Sequence, residues 1–252
     1  MGRTASERWP YPRIVAHRGG GTLAPENTLA ALRYGAKHGF RGVEFDVMLA
    51  GDGTPLLIHD ETLERTTTGR GRVPATTYAE IEKFDAGSWH SERFRGENVP
   101  TFVSAANLCR ELNLWANVEI KPAKGHEVLT GRTVGKRALD LWCGADLQPV
   151  VSSFSFEALA AAKEVAPELA RGMLVGRVPA DWKARLDQLD CVALHCNYRH
   201  LNEPLAAQIR AAGYAILCWT VNDPAEAKKL LGWGVDCIVT DRLDLIGADF
   251  CI

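Results

Sequence analysis

Val43-Glu44-Phe45-Asp46-Val47-Met48 is the stretch from which the rest of this chain can be read. As a strand its side chains alternate, so Glu44, Asp46 and Met48 share one face while Val43, Phe45 and Val47 share the other. Two carboxylates then point into one space with an apolar face behind them. At about 4 Å, two like charges repel by about 1 kcal/mol in water and about 4 kcal/mol at the effective dielectric of a protein surface. On composition alone the pair is a solvated edge. Gathered with further charge, it asks for a raised pKa or a cation.

Working outward, residues 13–17 form a short buried strand followed by the glycine run Gly19 to Gly21. Asn27 serves as N-cap to a helix over 28–38, where Leu29, Leu32 and Ala36 have helical spacing. After the strand at 42–49, the Gly51-Asp52-Gly53 turn leads into a hairpin strand at 55–58 that ends at His59-Asp60. From 61 to 100 the periodicity breaks down, the mark of an insertion that covers something. Regular alternation then resumes, with strands at 114–120, 149–152, 170–175, 191–195, 214–219 and 235–239. Helices are expected at 102–112, 127–141, 156–165, 181–188, 205–212, 225–231 and, last, 243–250.

These are eight strand-then-helix units in 252 residues, the size of a (β/α)8 TIM barrel of parallel strands covered by helices. A doubly wound α/β sheet would want a dinucleotide fingerprint after its first strand, and His17-Arg18-Gly19-Gly20-Gly21 is not one. The expectation is one barrel domain over 1–252 with an insertion at about 60–100.

With 29 Lys and Arg against 31 Asp and Glu, the net charge of −2 speaks against general affinity for nucleic acid or anionic membrane. Seven scattered cysteines without a C-x-x-C pair read as free thiols of a reducing compartment. The N-terminal residues carry no apolar run of signal-peptide length and no stretch approaches a membrane span, so a cytoplasmic protein without stable membrane insertion is expected. Met1-Gly2-Arg3-Thr4-Ala5-Ser6 matches the loose myristoylation pattern, which is short enough to recur by chance. Nothing in the composition sets an oligomeric state.

A barrel places its site at the C-terminal ends of its strands. The polar residues there are His17 and Arg18, Glu44 and Asp46, His59, and Glu119 with Lys121, again two apart and on one face. Ser152, Ser153, Arg177, His195, Trp219 with Asn222, and Thr240-Asp241 follow. Three converging carboxylates, Glu44, Asp46 and Glu119, suit a hard divalent cation, Mg2+ or Ca2+, while nearby histidines leave Mn2+ and Zn2+ open. Arg18 and Lys121 beside it fit an anionic, oxygen-rich substrate, phosphate foremost. His17 and His59 supply a base and an acid near neutral pH. A lone histidine at a strand end is ordinarily held by backbone, and His195 is read that way; His38, His90, His126 and His200 fall on helices or loops. Trp219 offers an apolar wall for a small alcohol moiety.

His17-Arg18-Gly19, Pro25-Glu26-Asn27-Thr28, Glu44-x-Asp46, His59-Asp60, Arg65-Thr66-Thr67, Val99-Pro100-Thr101, Glu119-Ile120-Lys121 and Trp219-Thr220-Val221-Asn222 together resemble the glycerophosphodiester phosphodiesterases, over about residues 14–246. The resemblance implies a (β/α)8 barrel with an insertion after the second strand. It implies Glu44, Asp46 and Glu119 as metal ligands, His17 and His59 as the acid–base pair, and Arg18 and Lys121 as phosphate contacts. The implied reaction is metal-dependent hydrolysis of a glycerophosphodiester to an alcohol and sn-glycerol 3-phosphate, with a cyclic phosphate formed by attack of the glycerol 2-hydroxyl. The alternative within this class is a related barrel phosphodiesterase acting on lysophospholipids or phosphoinositol-type substrates. That activity needs an apolar entrance, for which the insertion offers Tyr78, Phe84, Trp89 and Phe94. A catalytically silent binding module would have lost a histidine or a metal acid, and none is lost.

Overall fold

The computed structural model of the chain describes residues 9–251, so the hexapeptide 1–6 with its myristoylation-like pattern lies outside the described residues. Nine strands run β1 (Ile14–Ala16), β2 (Gly42–Leu49), β3 (Pro55–Leu57), β4 (Trp115–Ile120), β5 (Val150–Ser153), β6 (Ala170–Val175), β7 (Ala193–Asn197), β8 (Ala215–Trp219) and β9 (Cys237–Thr240). Their spatial order is β1-β9-β8-β7-β6-β5-β4-β2-β3, closed by a further β1–β2 pairing. β3 alone is antiparallel, a hairpin extension of β2, which leaves eight parallel strands in a closed TIM barrel. The connecting helices are α1 (Leu29–Lys37), α2 (Tyr78–Ile81), α3 (Phe102–Glu111), α4 (Glu127–Leu141), α5 (Phe156–Val165), α6 (Trp182–Gln188), α7 (Glu203–Ala211) and α8 (Pro224–Gly232).

All eight residues of β2 are buried, but on two different sides. Val43, Phe45 and Val47 join the layer between barrel and helices, where Phe45 packs on Phe102 at 6.2 Å between ring centroids. Trp115, Val150, Ala193, Ala215 and Cys237 fill the barrel at the N-terminal ends of its strands, and Trp9 and Tyr11 close that end, Tyr11 stacking on Trp115 at 4.8 Å. With one end of the barrel packed shut, the barrel interior opens only at the other, the C-terminal ends of the strands.

Three sequence expectations are corrected. Thr28, not Asn27, caps α1, its hydroxyl accepting from the Ala31 amide at 3.1 Å. β7 spans Ala193–Asn197 rather than 191–195, although the Val192 amide already donates to the Arg171 carbonyl of β6 at 2.8 Å; the strand runs two residues past His195, which is fully buried inside the barrel rather than at its rim. No helix forms at 243–250. Arg242 accepts from the Leu245 and Ile246 amides in a single turn, which already buries Leu243 and Ile246. A short helix pays a full nucleation cost, and Gly247 makes propagation worse.

The insertion has a small core of its own, in which Leu63, Val73, Ile81, Ala86 and Val99 pack with Met48, Leu56 and Ile58 of the hairpin. Tyr78 and Phe84 pack against that core, so two of its four aromatic residues are committed to holding it together.

Candidate active site

The strand ends place Glu44, Asp46 and Glu119 side by side, one carboxylate oxygen of each within 4.8 Å of the others, all three buried. β2 and β4 are paired in parallel with Asp46 opposite Glu119, so register alone brings the acids together. Burial, then the Asp46 charge, pushes Glu44 up to about 7 and Glu119 up to about 8. Asp46 is held below the usual carboxylate range: burial opposes its ionisation, but the charges of Arg18, Lys121 and His59 and the Asn27 hydrogen bond together prevail.

These acids fit a bound cation. Asp46 Oδ1 is buried with no hydrogen-bond partner, Lys121 Nζ standing 3.5 Å away, an arrangement that costs free energy until something positive meets that oxygen. The donor set is all oxygen, which favours a hard ion. Asn27, freed from capping, fixes Asp46 from behind: its Nδ2 donates to Asp46 Oδ2 at 2.9 Å and its Oδ1 accepts from the Asp46 amide at 3.1 Å. Its φ of 58° is a left-handed conformation that Asn tolerates better than most side chains.

His17 and His59 lie on the same cavity, each oriented by a carboxylate. His17 Nδ1 is 2.6 Å from Asp241 Oδ1, and Asp241 is held in turn by Asn222, whose Nδ2 donates to it at 3.1 Å. His59 Nδ1 is 2.6 Å from Asp60 Oδ1. Their environments differ. For His17, burial opposes the proton, but the Asp241 hydrogen bond and the Glu44 and Asp241 charges prevail and raise its pKa. For His59, burial together with Arg18 and Lys121 lowers it despite Asp46 and Asp60.

Arg18 donates its amide to Glu44 at 3.1 Å and Nη1 to Glu26 at 2.6 Å, while its buried Nε has no hydrogen-bond partner. Lys121 Nζ donates to Glu119 at 2.7 Å. Trp219 and Phe154 meet edge to face at 5.4 Å on the far wall. All the charged residues named from the sequence as acids, bases or phosphate contacts, and Trp219, line one cavity of about 180 Å³. A cleft of about 500 Å³ near the closed end, lined by Arg41, Arg110 and Trp142 among others, has none of them.

The remaining strand-end residues serve other ends. Ser153 donates to the Ile120 carbonyl at 2.6 Å and Arg177 is exposed; His195, expected to be held by backbone, is instead fully buried with neither ring nitrogen hydrogen-bonded, and burial pushes it down to about 3. The sequence reading named Asp241 and Asp60 without seeing that each holds a histidine, and it missed Phe154 and the roles of Arg65, Glu26 and Asn27. For Asp60 the signal was its adjacency to His59. For Asp241 there was none, since it meets His17 only because β1 and β9 are neighbours in the closed barrel.

Fold and site together define a (β/α)8 barrel hydrolase with two carboxylate-held histidines beside an acidic triad. Residues 17–245 match the model of the glycerophosphoryl diester phosphodiesterase family, and the chain belongs to that family. It is 34% identical over 230 residues to a glycerophosphodiester phosphodiesterase of Caldanaerobacter subterraneus, covering 90% of this chain and 93% of the relative. Among solved structures it resembles an Oleispira antarctica phosphodiesterase in complex with the product sn-glycerol-3-phosphate (38% identity, TM-score 0.87, 92% and 93% of the two chains). It also resembles a glycerophosphodiester phosphodiesterase of Agrobacterium tumefaciens (29% identity, TM-score 0.77, 93% and 98%).

Proposed function

We propose that this chain hydrolyses glycerophosphodiesters to sn-glycerol 3-phosphate and an alcohol in a divalent-cation-dependent reaction. The observation that carries the reading is the convergence of two oriented histidines, two cations and three carboxylates on one small cavity. Glu44, Asp46 and Glu119 would hold Mg2+ or Ca2+, with Mn2+ also compatible. When bound, the ion would supply Lewis-acid stabilisation of charge on phosphate oxygen.

Arg18 and Lys121 bind and orient the phosphate; the Nε of Arg18 is a donor awaiting an acceptor. The glycerol 2-hydroxyl attacks phosphorus, giving its proton to one histidine, while the other protonates the departing alkoxide as the phosphorus–oxygen bond to the alcohol breaks. Water then adds to the cyclic phosphate with the two proton transfers reversed, opening it to the monoester. His17 and His59 suit this exchange because each is held at Nδ1 by a carboxylate, leaving Nε2 for the substrate. Trp219 and Phe154 wall the alcohol side. Seven free cysteines, five of them buried, support a reducing, cytoplasmic setting, and no described helix is long and apolar enough to cross a membrane.

The test is release of sn-glycerol 3-phosphate from glycerophosphocholine and from a lysophospholipid, with EDTA and with restored Mg2+ or Ca2+. Turnover of glycerophosphocholine that EDTA abolishes and the ion restores is expected. Turnover of the lysolipid alone, or full activity in a metal-free preparation, would refute the reading.

A further inference from the structure

Arg65 lies outside the cavity, on the insertion, and its side chain is 44% exposed. Its donors reach two carboxylates at once. Nε and Nη2 donate to Asp60 at 2.5 and 3.1 Å, and Nη1 and Nη2 donate to Glu26 at 2.8 Å each. Asp60 is the carboxylate that holds His59, and Glu26 is the one that holds Arg18. We propose that Arg65 is a positioning residue that locks His59 and Arg18 to one another through Asp60 and Glu26. The proposal rests on the roles given above to those two residues.

Without the guanidinium, two carboxylates share a space with no cation between them. Asp60 is then free to turn from His59 Nδ1, and Glu26 to draw Arg18 out of line with Asp46. A planar fork satisfies both carboxylates in fixed geometry, which an ammonium group cannot do. The loop carrying Arg65 is itself anchored: Thr66 and Thr67 are buried, and Thr67 Oγ1 donates to the Leu63 carbonyl at 2.7 Å and accepts from the Gly69 amide at 3.0 Å. The insertion thus acts as a brace on the catalytic groups, consistent with its having its own core.

The experiment compares Arg65→Gln, Arg65→Lys and Arg65→Ala with the surface control Arg95→Ala, whose arginine pairs with exposed Glu92, and with His59→Ala, all measured with saturating divalent ion and glycerophosphocholine. Misplacing a catalytic group by about 1 Å is worth about 100-fold, so Arg65→Gln should lower kcat about 10- to 100-fold while KM moves less than about threefold. Lys should recover little of it. Guanidinium ion at about 20 mM should raise the kcat of Arg65→Ala at least about fivefold through the fork geometry that Lys lacks, and should leave Arg95→Ala and His59→Ala unchanged. If Arg65→Ala does not fold, the kcat and KM of the Gln and Lys variants decide. Near-normal kcat in Arg65→Gln with His59→Ala inactive would overturn the clamp alone. Normal turnover in His59→Ala would overturn the role of His59 and the clamp with it. A lowered Tm with no kcat loss at permissive temperature would make Arg65 merely structural.

Discussion

The acidic triad makes a quantitative statement about protons when the divalent ion is removed. Glu44 and Glu119, pushed up to about 7 and about 8, hold protons in the metal-free folded chain that they lose in the unfolded one, where the ordinary value is 4.5. Between those limits the folded state binds more protons, so the stability of the metal-free protein falls as pH rises from about 5 to about 8. Raising a carboxyl from 4.5 to about 7 costs on the order of 3 kcal/mol once it is ionised, which for a chain of this length lowers Tm by about 6–12 °C. A cation needs both carboxylates bare, so binding must expel those protons. Because both carboxyls are pushed up, more protons leave per ion at pH 6.5 than at pH 8.5. Titration calorimetry with Mg2+ or Ca2+ in buffers of different ionisation enthalpy counts them, and thermal melts in EDTA at both pH values measure the stability. Binding that releases no protons at pH 6.5, or a Tm in EDTA that does not fall with pH, would refute the electrostatic account of the triad.

Replacing His17 or His59 by Ala should lower kcat by about 10² to 10⁴ with an unchanged circular dichroism spectrum, the usual worth of general acid–base catalysis; near-normal turnover would remove that residue from the mechanism. Asn27→Ala should cost about 1–3 kcal/mol, because it strips two hydrogen bonds from buried Asp46. Asn27→Gly, which relaxes the left-handed backbone but also lacks the side chain, should lose nearly as much in denaturant titration, and wild-type stability in the Gly variant would show that the amide does little. Gly35→Ala improves helix propensity, yet its Cβ would lie 2.3 Å from the Gly19 carbonyl oxygen, so overpacking should prevail and destabilise the chain by about 1–3 kcal/mol; a raised Tm would contradict the contact.

The helices at 127–141 and 156–165 and the strand at 170–175 could be read to the residue, because an amphipathic period and a short apolar run such as Met173-Leu174-Val175 are local properties. The segment 243–250 misled because Leu243 and Ile246 have helical spacing, although one turn suffices to bury both. Asn27 misled for a different reason. Asn and Thr are both good caps, and which one caps was decided by Asp46, nineteen residues on, claiming the amide. The insertion showed its aromatic residues but not which way they turn, and its own core, not substrate, takes Tyr78 and Phe84.

By itself the sequence determined the barrel, the facing of Glu44 with Asp46 and of Glu119 with Lys121, and many, though not all, of the residues at the strand ends. Each follows from a period of two or 3.6 that covalent geometry imposes on neighbouring residues. Only the tertiary structure decided who holds whom. Barrel closure sets β9 beside β1, so Asp241 meets His17 across 224 positions, and the insertion folds back so that Arg65 spans Asp60 and Glu26. Such partnerships depend on strand register and on where a loop's own core comes to rest. Both are settled by packing over the whole chain, and no local pattern of residues records them.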